Sequence, residues 1–273
     1  SCYEVKFGDG TSIVADAEHL WLTRTRKRID ASRRNGSTYS GELVTTLQLS
    51  QLVAGKQDGR GHNCYVPFSP SVDYNNGHKP VVPPYTLGVW LGDGTTVDGI
   101  INSWDGEVWD FIRDDGFTLS EPRANGSRIV HGLKDSLSTV GLLDNKHVPK
   151  EYLESSAENR LSVLQGLMDS DGTVSPGGHC QFDNTNRDLS LGVLELCRSL
   201  GIRASLRTRL CWPDQDQYRV LFTPALSVFK LSRKAERLKA PSWRCGNPVV
   251  SVEEVASRPV RCIKVSNPTK IGR

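Results

Sequence analysis

The chain has 273 residues, of which 37% are hydrophobic and 24% are charged, a composition typical of a folded protein of about two domains. No apolar run approaches the ~18 residues of a transmembrane helix, and the first residues show no secretory signal. Seven cysteines without a C-x-x-C pair argue against a zinc module and against a fully paired disulfide framework, and they favour a reducing, cytoplasmic setting. The net charge of +3 does not by itself indicate a nucleic-acid partner.

The basic residues are concentrated in three segments that the net charge conceals. Residues 24–34 carry six basic side chains and one acidic side chain. Residues 198–209 carry four arginines and no acid, and residues 230–239 carry five basic side chains and one glutamate. Such segments can neutralise DNA phosphates, and three solvated surfaces are the alternative interpretation.

The first part of the chain favours β-structure. Residues 3–14 form two strand-like segments around a Gly-Asp-Gly turn, which predicts a β-hairpin. Residues 43–49 fit a strand or a helix. Residues 55–63 and 73–84 are rich in turn residues, and the second of these segments predicts a domain boundary.

Helices are predicted in the middle of the chain. A Pro-Pro pair suits the first turn of a helix over residues 85–92, and a capping box at Ser155 and Glu158 predicts the start of a second helix. Two amphipathic segments, after Thr185 and after Thr223, predict two more helices. Strands are predicted at residues 127–131, 202–209, 218–222, 249–255 and 259–265.

The ends of the first two helices repeat. TLGVWLGDGT (Thr86–Thr95) aligns with LQGLMDSDGT (Leu164–Thr173), which superimposes Gly88 on Gly166 and Asp93 on Asp171. The alignment suggests two half-domains related by pseudo-twofold symmetry. Two apolar helices with glycine at matching positions could pack face to face, each placing one aspartate at its C-terminal end.

Two carboxylates in such an arrangement are electrostatically unfavourable. A helix C-terminus disfavours a negative charge by ~0.3–1 kcal/mol, and two converging carboxylates repel each other. Divalent cations relieve both costs, and Mg²⁺ suits a site with few protein ligands because it retains water and phosphate oxygens. The pattern therefore points to metal-assisted phosphodiester hydrolysis. The alternative is that each Asp-Gly pair only ends a helix.

The two motifs resemble those of the LAGLIDADG homing endonucleases. LQGLMDSDG (Leu164–Gly172) is a close match, and TLGVWLGDG (Thr86–Gly94) departs from the motif at Leu91, a position that is usually structural in the family. The resemblance implies that the last aspartates bind the metal. The implied metal site consists of Asp93, Asp171, Gly92 and Ser170, with Mg²⁺ as cofactor and Mn²⁺ or Ca²⁺ as substitutes.

The resemblance is closest to the intein-encoded members. LLDNKHVPKEYL (Leu142–Leu153) is similar to the block that precedes the second motif and carries a catalytic lysine, which implies Lys146. CRSLGIRASLR (Cys197–Arg207) is similar to the block after that motif. The second catalytic lysine is placed at Lys239, with Lys234 as the second choice.

The flanking segments resemble an intein splicing domain. CYEVKFGDGTSIVADAEHLWLT (Cys2–Thr23) is similar to a splicing block whose histidine is His19, and RPVRCIKV (Arg258–Val265) is similar to the penultimate block. Trp21 together with Cys262 is similar to the variant inteins in which an internal cysteine is the nucleophile. The alternatives are a core tryptophan and a buried cysteine. We expect the chain not to splice, because the terminal splicing blocks of the family are not found in it.

The resemblance implies an α+β fold with two inserted repeats. Two pseudo-symmetric αββαββα repeats, residues 80–154 and 155–240, would interrupt a partial, all-β, Hint-like splicing domain formed by residues 1–79 and 241–273. The implied activity is Mg²⁺-dependent cleavage of a long, asymmetric double-stranded DNA site with 3′ overhangs. The enzyme would act as a monomer in a phage-infected or bacterial cell, without a membrane or an obligate protein partner. The alternatives are an inactive DNA- or RNA-binding protein and a splicing element with a degenerate nuclease.

The resemblance also implies which segments contact DNA. Residues 95–103, 118–131, 173–184 and 203–222 would form the strands that read bases, arginine pairing with guanine and amides with adenine. The base-contacting candidates are Arg207, Arg209, Arg219, Gln181, Asn184 and Gln217. The basic N-terminal segment would contact phosphates through Arg24, Arg26, Lys27, Arg28, Arg33 and Arg34.

Overall fold

The computed structural model describes residues 1–37, 39–54, 63–68, 70–72, 74, 77, 79–211, 215–239 and 246–260. The chain divides into two compact units, one made of Ser1–Ser69 and Ser242–Arg273 and the other of Pro70–Pro241. The second unit therefore interrupts the first in chain order. The assignment of the first unit as a Hint-like splicing domain stays a prediction. Among the described residues, no helix is long and apolar enough to cross a membrane.

Strands and helices occur in both units. In the described residues the strands are β1 (Cys2–Phe7), β2 (Ser12–Asp16), β3 (Leu20–Thr25), β4 (Glu42–Thr45), β5 (Cys64–Val66), β6 (Ile100–Asn102), β7 (Ser127–Ile129), β8 (Gly172–Val174), β9 (Cys180–Asn184), β10 (Ala204–Cys211), β11 (Gln215–Phe222) and β12 (Asn247–Val255). The helices are α1 (Arg26–Arg34), α2 (Thr46–Ala54), α3 (Pro84–Asp93), α4 (Gly106–Asp114), α5 (Leu133–Thr139), α6 (Lys150–Leu153), α7 (Ala157–Ser170), α8 (Arg187–Ser199) and α9 (Ser232–Ala235).

The first unit is built on an antiparallel sheet. Its described strands follow the order β2-β1-β12-β5-β3-β4. The predicted N-terminal hairpin is confirmed as β1 and β2, and the ambiguous segment 43–49 holds the end of β4 and the start of α2. Alternating residues of the strands bury one face of the sheet. The core consists of Val5, Phe7, Ala15, Trp21, Cys64 and Val249 of the strands together with Leu49 of α2.

The second unit is organised around α3 and α7. These helices are almost fully apolar where they meet, and the largest core cluster of the described residues surrounds them. The two-stranded sheet β6-β7 follows α3, and the four-stranded sheet β10-β11-β9-β8 follows α7. The unit is a mixed α and β fold. Residues 155–240 follow the expected αββαββα order, as α7-β8-β9-α8-β10-β11-α9. Residues 80–154 depart from it: they run α3-β6-α4-β7-α5-α6, with isolated bridges of Gly94 with Ile101 and of Leu119 with Val130 where two strands are expected.

Three local predictions differ from the structure. Helix α7 is capped by Ser156, whose Oγ accepts from the Asn159 N–H at 3.2 Å, whereas Ser155 is buried and donates to the Tyr152 carbonyl. The predicted capping box at Ser155 is therefore shifted by one residue. Helix α8 begins after Asn186 rather than after Thr185. The Asn186 side chain caps the helix by accepting hydrogen bonds from the backbone N–H groups of Asp188 and Leu189.

The helix predicted from Thr223 is reduced to the single turn of α9. Asp169, buried on α7, accepts hydrogen bonds from the backbone N–H groups of Lys230 and Leu231 at 3.0 and 3.2 Å. These bonds hold the preceding residues outside a helix, so that the tertiary contact overrides the amphipathic pattern.

Candidate active site at the helix pair

Helices α3 and α7 approach each other most closely at two glycines. A Cβ atom on Gly88 would collide with the Val163 carbonyl oxygen, and a Cβ on Gly166 would collide with the Tyr85 carbonyl oxygen. The two glycines also face each other, so each helix presents bare backbone to its partner. This confirms the face-to-face packing that the repeated glycines predict.

The close approach brings the C-terminal ends of the two helices together. Asp93 is the last residue of α3, and Asp171 is the C-cap of α7. Burial and the charge of Asp171 raise the pKa of Asp93 to about 6. Burial also raises the pKa of Asp171, although Lys146 and a hydrogen bond from Asn184 oppose this shift. The two carboxylates therefore share one electrostatically strained site.

Each helix end also binds a lysine ammonium. Lys146 Nζ donates to the carbonyl oxygens of Leu91, Gly92 and Gly94 at 3.1, 3.3 and 2.6 Å. Its ammonium also lies 4.9 Å from the centre of the Trp90 ring. Burial lowers the pKa of Lys146 to about 8, and the attraction of Asp171 and Asp93 opposes that shift.

Lys234 occupies the matching position at the end of α7. Its Nζ donates to the carbonyl oxygens of Met168, Asp169 and Gly172 at 2.9, 2.7 and 2.7 Å, and more weakly to that of Ser170 at 3.5 Å. The side chain is buried, and burial lowers its pKa. The two lysines thus cap the two helices in the same way, because a cation is favoured at a helix C-terminus.

Lys239, the first choice from the sequence, lies elsewhere. It is exposed, and its backbone packs against Gly178. Lys234 is therefore the structural counterpart of Lys146. The sequence could not separate the two lysines because the basic segment has no fixed spacing from the second motif, and its place is set by tertiary contacts such as that with Asp169.

The segments that carry the lysines are held by helix N-termini of the opposite repeat. The Asn186 side-chain amide donates to the Lys146 carbonyl oxygen at 2.7 Å. On the other side, the Glu107 carboxylate accepts from the N–H of Ser232 at 3.2 Å, and Asp105 pairs with Arg233 through two bonds of 2.7 and 2.8 Å. Sequence analysis missed these anchors, although Asn186 and Asp105 are residue types typical of an N-cap.

The donor set is compatible with Mg²⁺. Asp93 and Asp171 supply carboxylates, and the carbonyl oxygens of Gly92 and Ser170 make only long bonds to the lysines, of 3.3 and 3.5 Å. In the part of the chain that the structure describes, no group of three or more His, Cys, Asp or Glu side chains is arranged to bind a metal. A site with two carboxylates suits a cation that keeps water and phosphate oxygens as its other ligands.

Five of the six base-contacting candidates share one face of the second sheet. Strand register places Arg207 opposite Arg219 and Arg209 opposite Gln217. Alternation directs these side chains away from the buried Val220. Gln181 lies on the same face by the register of β9 and β11.

Several side chains on this face bond one another. Arg219 makes a two-bond ion pair with Asp183 at 2.7 and 2.8 Å, and Gln181 donates to Asp183 at 2.7 Å. Arg209 donates to Gln217 at 2.6 Å, while Arg207 is exposed. The sixth candidate, Asn184, lies on the opposite face and contacts Asp171.

The basic N-terminal segment forms the exposed side of α1, with Ile29 as its buried residue. Arg28 pairs with Glu42, Arg26 lies 3.9 Å from Asp30, and the Arg34 side chain donates to the Asp30 carbonyl at 3.3 Å. The remaining candidates are half-buried or exposed: Arg24, which donates to the Ser40 carbonyl, Lys27 and Arg33. Their contact with DNA stays a prediction.

Two of the predicted splicing residues, His19 and Trp21, lie in the first unit. Trp21 is a core residue whose indole N–H donates to Thr46 at 2.9 Å, and its ring lies 4.9 Å from that of His19. This burial fits the alternative of a core tryptophan, and the splicing assignment of Trp21 stays a prediction. Cys262 lies outside the described residues.

Part of the chain matches a known protein family. Residues 158–233 match the LAGLIDADG-like domain family, and this range contains both Asp171 and Lys234. A curated relative, the replicative DNA helicase DnaB of Mycobacterium intracellulare, is 36% identical over an alignment of 283 positions that covers 97% of this chain and 47% of that protein. The chain thus spans about half the length of its curated relative.

Solved structures of the homing endonuclease I-DmoI are also similar. Its complex with DNA and Ca is 14% identical, covers 58% of this chain and 97% of that chain, and has a TM-score of 0.40. Its complex with DNA and Mn is 14% identical, covers 52% and 89%, and has a TM-score of 0.37. Mesophilic variants of I-DmoI are 13% identical, cover 58% and 88%, and have a TM-score of 0.38.

Proposed function

We propose that the chain is a site-specific DNA endonuclease that cuts both strands and depends on a divalent cation, Mg²⁺ in the cell. The observation that carries this proposal is the pair of carboxylates, Asp93 and Asp171, at the meeting ends of α3 and α7, each beside a lysine-capped helix end. The presence of both carboxylates and both lysines favours a nuclease over a protein that only binds nucleic acid.

Different residues of the chain would bind the cation and stabilise the reacting phosphate. Asp93 and Asp171, with the carbonyl oxygens of Gly92 and Ser170, would hold Mg²⁺, which when bound polarises a phosphate oxygen and lowers the pKa of water. Lys146 and Lys234 hold their ammonium groups in fixed positions through the helix carbonyls. Such fixed cations stabilise the charge that develops on a phosphate during hydrolysis.

The outer face of the second sheet would bind the DNA. It carries the exposed Arg207 together with Arg209 and Gln217, which can reach base edges in a major groove. The first repeat has only the short β6-β7 sheet, so the two halves would contact different sequences. We therefore propose a long, asymmetric site cut by a monomer with 3′ overhangs.

We further propose that the endonuclease belongs to an insertion in a replicative helicase gene and derives from an intein. The similarity to the helicase relative covers 97% of this chain but only 47% of that protein, which fits a segment carried within a larger chain. The interruption of the first unit by the second fits the same origin. The DNA target would then be the helicase gene without the insertion.

The test is cleavage of helicase coding sequences that lack this segment. The purified chain is incubated with such duplexes and Mg²⁺, and the products are mapped on both strands. We expect a double-strand break at the insertion point with 3′ overhangs, and no break in a gene that already contains the segment. Absence of cleavage in every such duplex, with Mg²⁺, Mn²⁺ or Ca²⁺, would refute the proposal.

A further inference from the structure

Asn184 links the second carboxylate to the first lysine through a chain of hydrogen bonds. Its side-chain N–H donates to Asp171 Oδ2 at 3.3 Å, and its Oδ1 accepts from the Asn186 backbone N–H at 2.8 Å. Asn186 in turn donates to the Lys146 carbonyl oxygen at 2.7 Å, while its Oδ1 caps α8. Groups from both repeats are thereby joined across the site.

The position of Asn184 excludes the base-reading role expected from the sequence. Asn184 lies opposite Tyr218, and its side chain is on the same side of the sheet as the buried Phe182, away from Arg207 and Gln217. Side chains alternate along a strand, so the neighbour of an outward-facing residue points inward, toward the core. Asn184 is therefore directed at the carboxylate site.

The turn at this position does not require an asparagine. In the first repeat, Ser103 has the equivalent place, two residues before the N-cap Asp105, and its Oγ accepts from the Asp105 N–H at 3.2 Å. A short side-chain acceptor is enough for such a turn. The amide donor is what Asn184 adds beyond the serine.

The first carboxylate has no matching donor. Among the described residues, Asp93 accepts no side-chain hydrogen bond, whereas Asp171 accepts one from Asn184. The two half-sites thus differ in how firmly the carboxylate is oriented. Groups that hydrogen-bond to a metal ligand change metal affinity by about 10- to 100-fold when they are removed.

We propose that Asn184 is a positioning residue that orients Asp171 for the divalent cation, and that Ser103 leaves Asp93 without this support. The inference rests on the proposed function, because it assigns a cation to the two carboxylates. It makes the second repeat the better-ordered half of the site.

The experiment measures binding of Tb³⁺, used alone as a luminescent probe, to the DNA-free protein. Asn184→Ser keeps the turn acceptor and removes the donor, and it is expected to weaken Tb³⁺ binding about tenfold. Ser103 follows the strand partner of Gly94 by two residues, as Asn184 follows the partner of Gly172. Ser103→Asn would therefore direct an amide donor toward Asp93 and is expected to tighten binding. Gln165→Ala is the matched control, because it removes an amide from α7 that, among the described residues, donates to the Ser227 carbonyl and not to either carboxylate.

The thermal unfolding temperature of each variant is measured without metal, because a merely structural role would change it. An unchanged Tb³⁺ affinity in folded Asn184→Ser would overturn the proposal. If Asn184→Ser does not fold, Ser103→Asn is the deciding variant. A Tb³⁺ affinity of Ser103→Asn equal to that of the wild-type protein would then overturn the proposal. A failure of the proposed function gives a different result: wild-type protein and Asp171→Asn would then bind Tb³⁺ equally poorly.

Discussion

The two repeats of the second unit place the same groups at the same points with different supporting bonds. Each has a helix that ends in an aspartate and a lysine that caps this helix. In the second repeat the buried Asp169 binds the backbone before Lys234, whereas Leu91 in the first repeat is part of the apolar core. The two helix ends therefore share their aspartate and their capping lysine, while the surrounding contacts differ.

The two half-sites carry the same chemical groups but are held by different numbers of contacts. The Lys146 segment depends on Asn186 of the opposite repeat. The Lys234 segment has anchors on both sides, from Asp169 and from Glu107. Variants placed at matching positions of the two repeats can therefore separate the shared chemistry from the unequal support.

The largest effect is expected from the carboxylates. Asp93→Asn and Asp171→Asn should each abolish double-strand cleavage, because a neutral amide cannot hold the cation, while DNA binding persists. Cleavage and gel-shift assays with Mg²⁺ measure both properties. Asp188→Asn, at an exposed carboxylate of α8, is the control and should cleave normally. Full cleavage by either site variant would refute the assignment of that carboxylate.

The lysines should come second. Lys146→Met and Lys234→Met remove the ammonium groups that would stabilise the scissile phosphate in the proposed function, and each is expected to slow cleavage by about 100-fold or more. Lys239→Met should retain the wild-type rate because Lys239 is exposed and away from the helix ends. Single-turnover cleavage rates test this order. A defect in Lys239→Met with normal rates in Lys234→Met would restore the assignment made from the sequence.

The helix contact should be equally sensitive on both sides. Gly88→Ala and Gly166→Ala each force a methyl group into facing backbone and should destabilise the fold by about 1–3 kcal/mol. Gly106→Ala is the control, since the space around that glycine is open. Urea unfolding gives the free energies. Equal stability of all three variants would contradict the close helix contact.

The smallest effect concerns the metal-free protein. The folded-state pKa of Asp93, about 6, lies above its ordinary value of 3.8, so the folded state binds the proton more tightly. Its contribution to stability is present at low pH and is lost as the pH rises from about 4 to about 6. Asp93→Asn lacks this loss. Thermal unfolding of both proteins is measured between pH 4 and pH 7.5 with a chelator. The stability of Asp93→Asn relative to wild type should rise as the pH increases to about 6 and then stay constant. A constant difference across this range would be inconsistent with the shifted pKa.

Much of the site could be predicted because its features are local. The repeated glycines and the aspartates at the helix ends follow from one ten-residue pattern, and Lys146 from one short block. Other features depend on contacts between distant segments. Motif spacing could not predict three of these features: the choice of Lys234 over Lys239, the loss of the helix after Thr223 and the inward direction of Asn184.

The sequence by itself determined the helix pair, the two carboxylates and the mixed α and β character, because periodicity and motif spacing specify which residues share a helix face. Only the tertiary structure decided the hydrogen bonds of Asn184, Asn186 and Asp169 and the pairing of Arg219 with Asp183. A polar side chain has many possible partners along the chain, and the fold selects one by bringing distant backbone and side-chain groups within bonding distance.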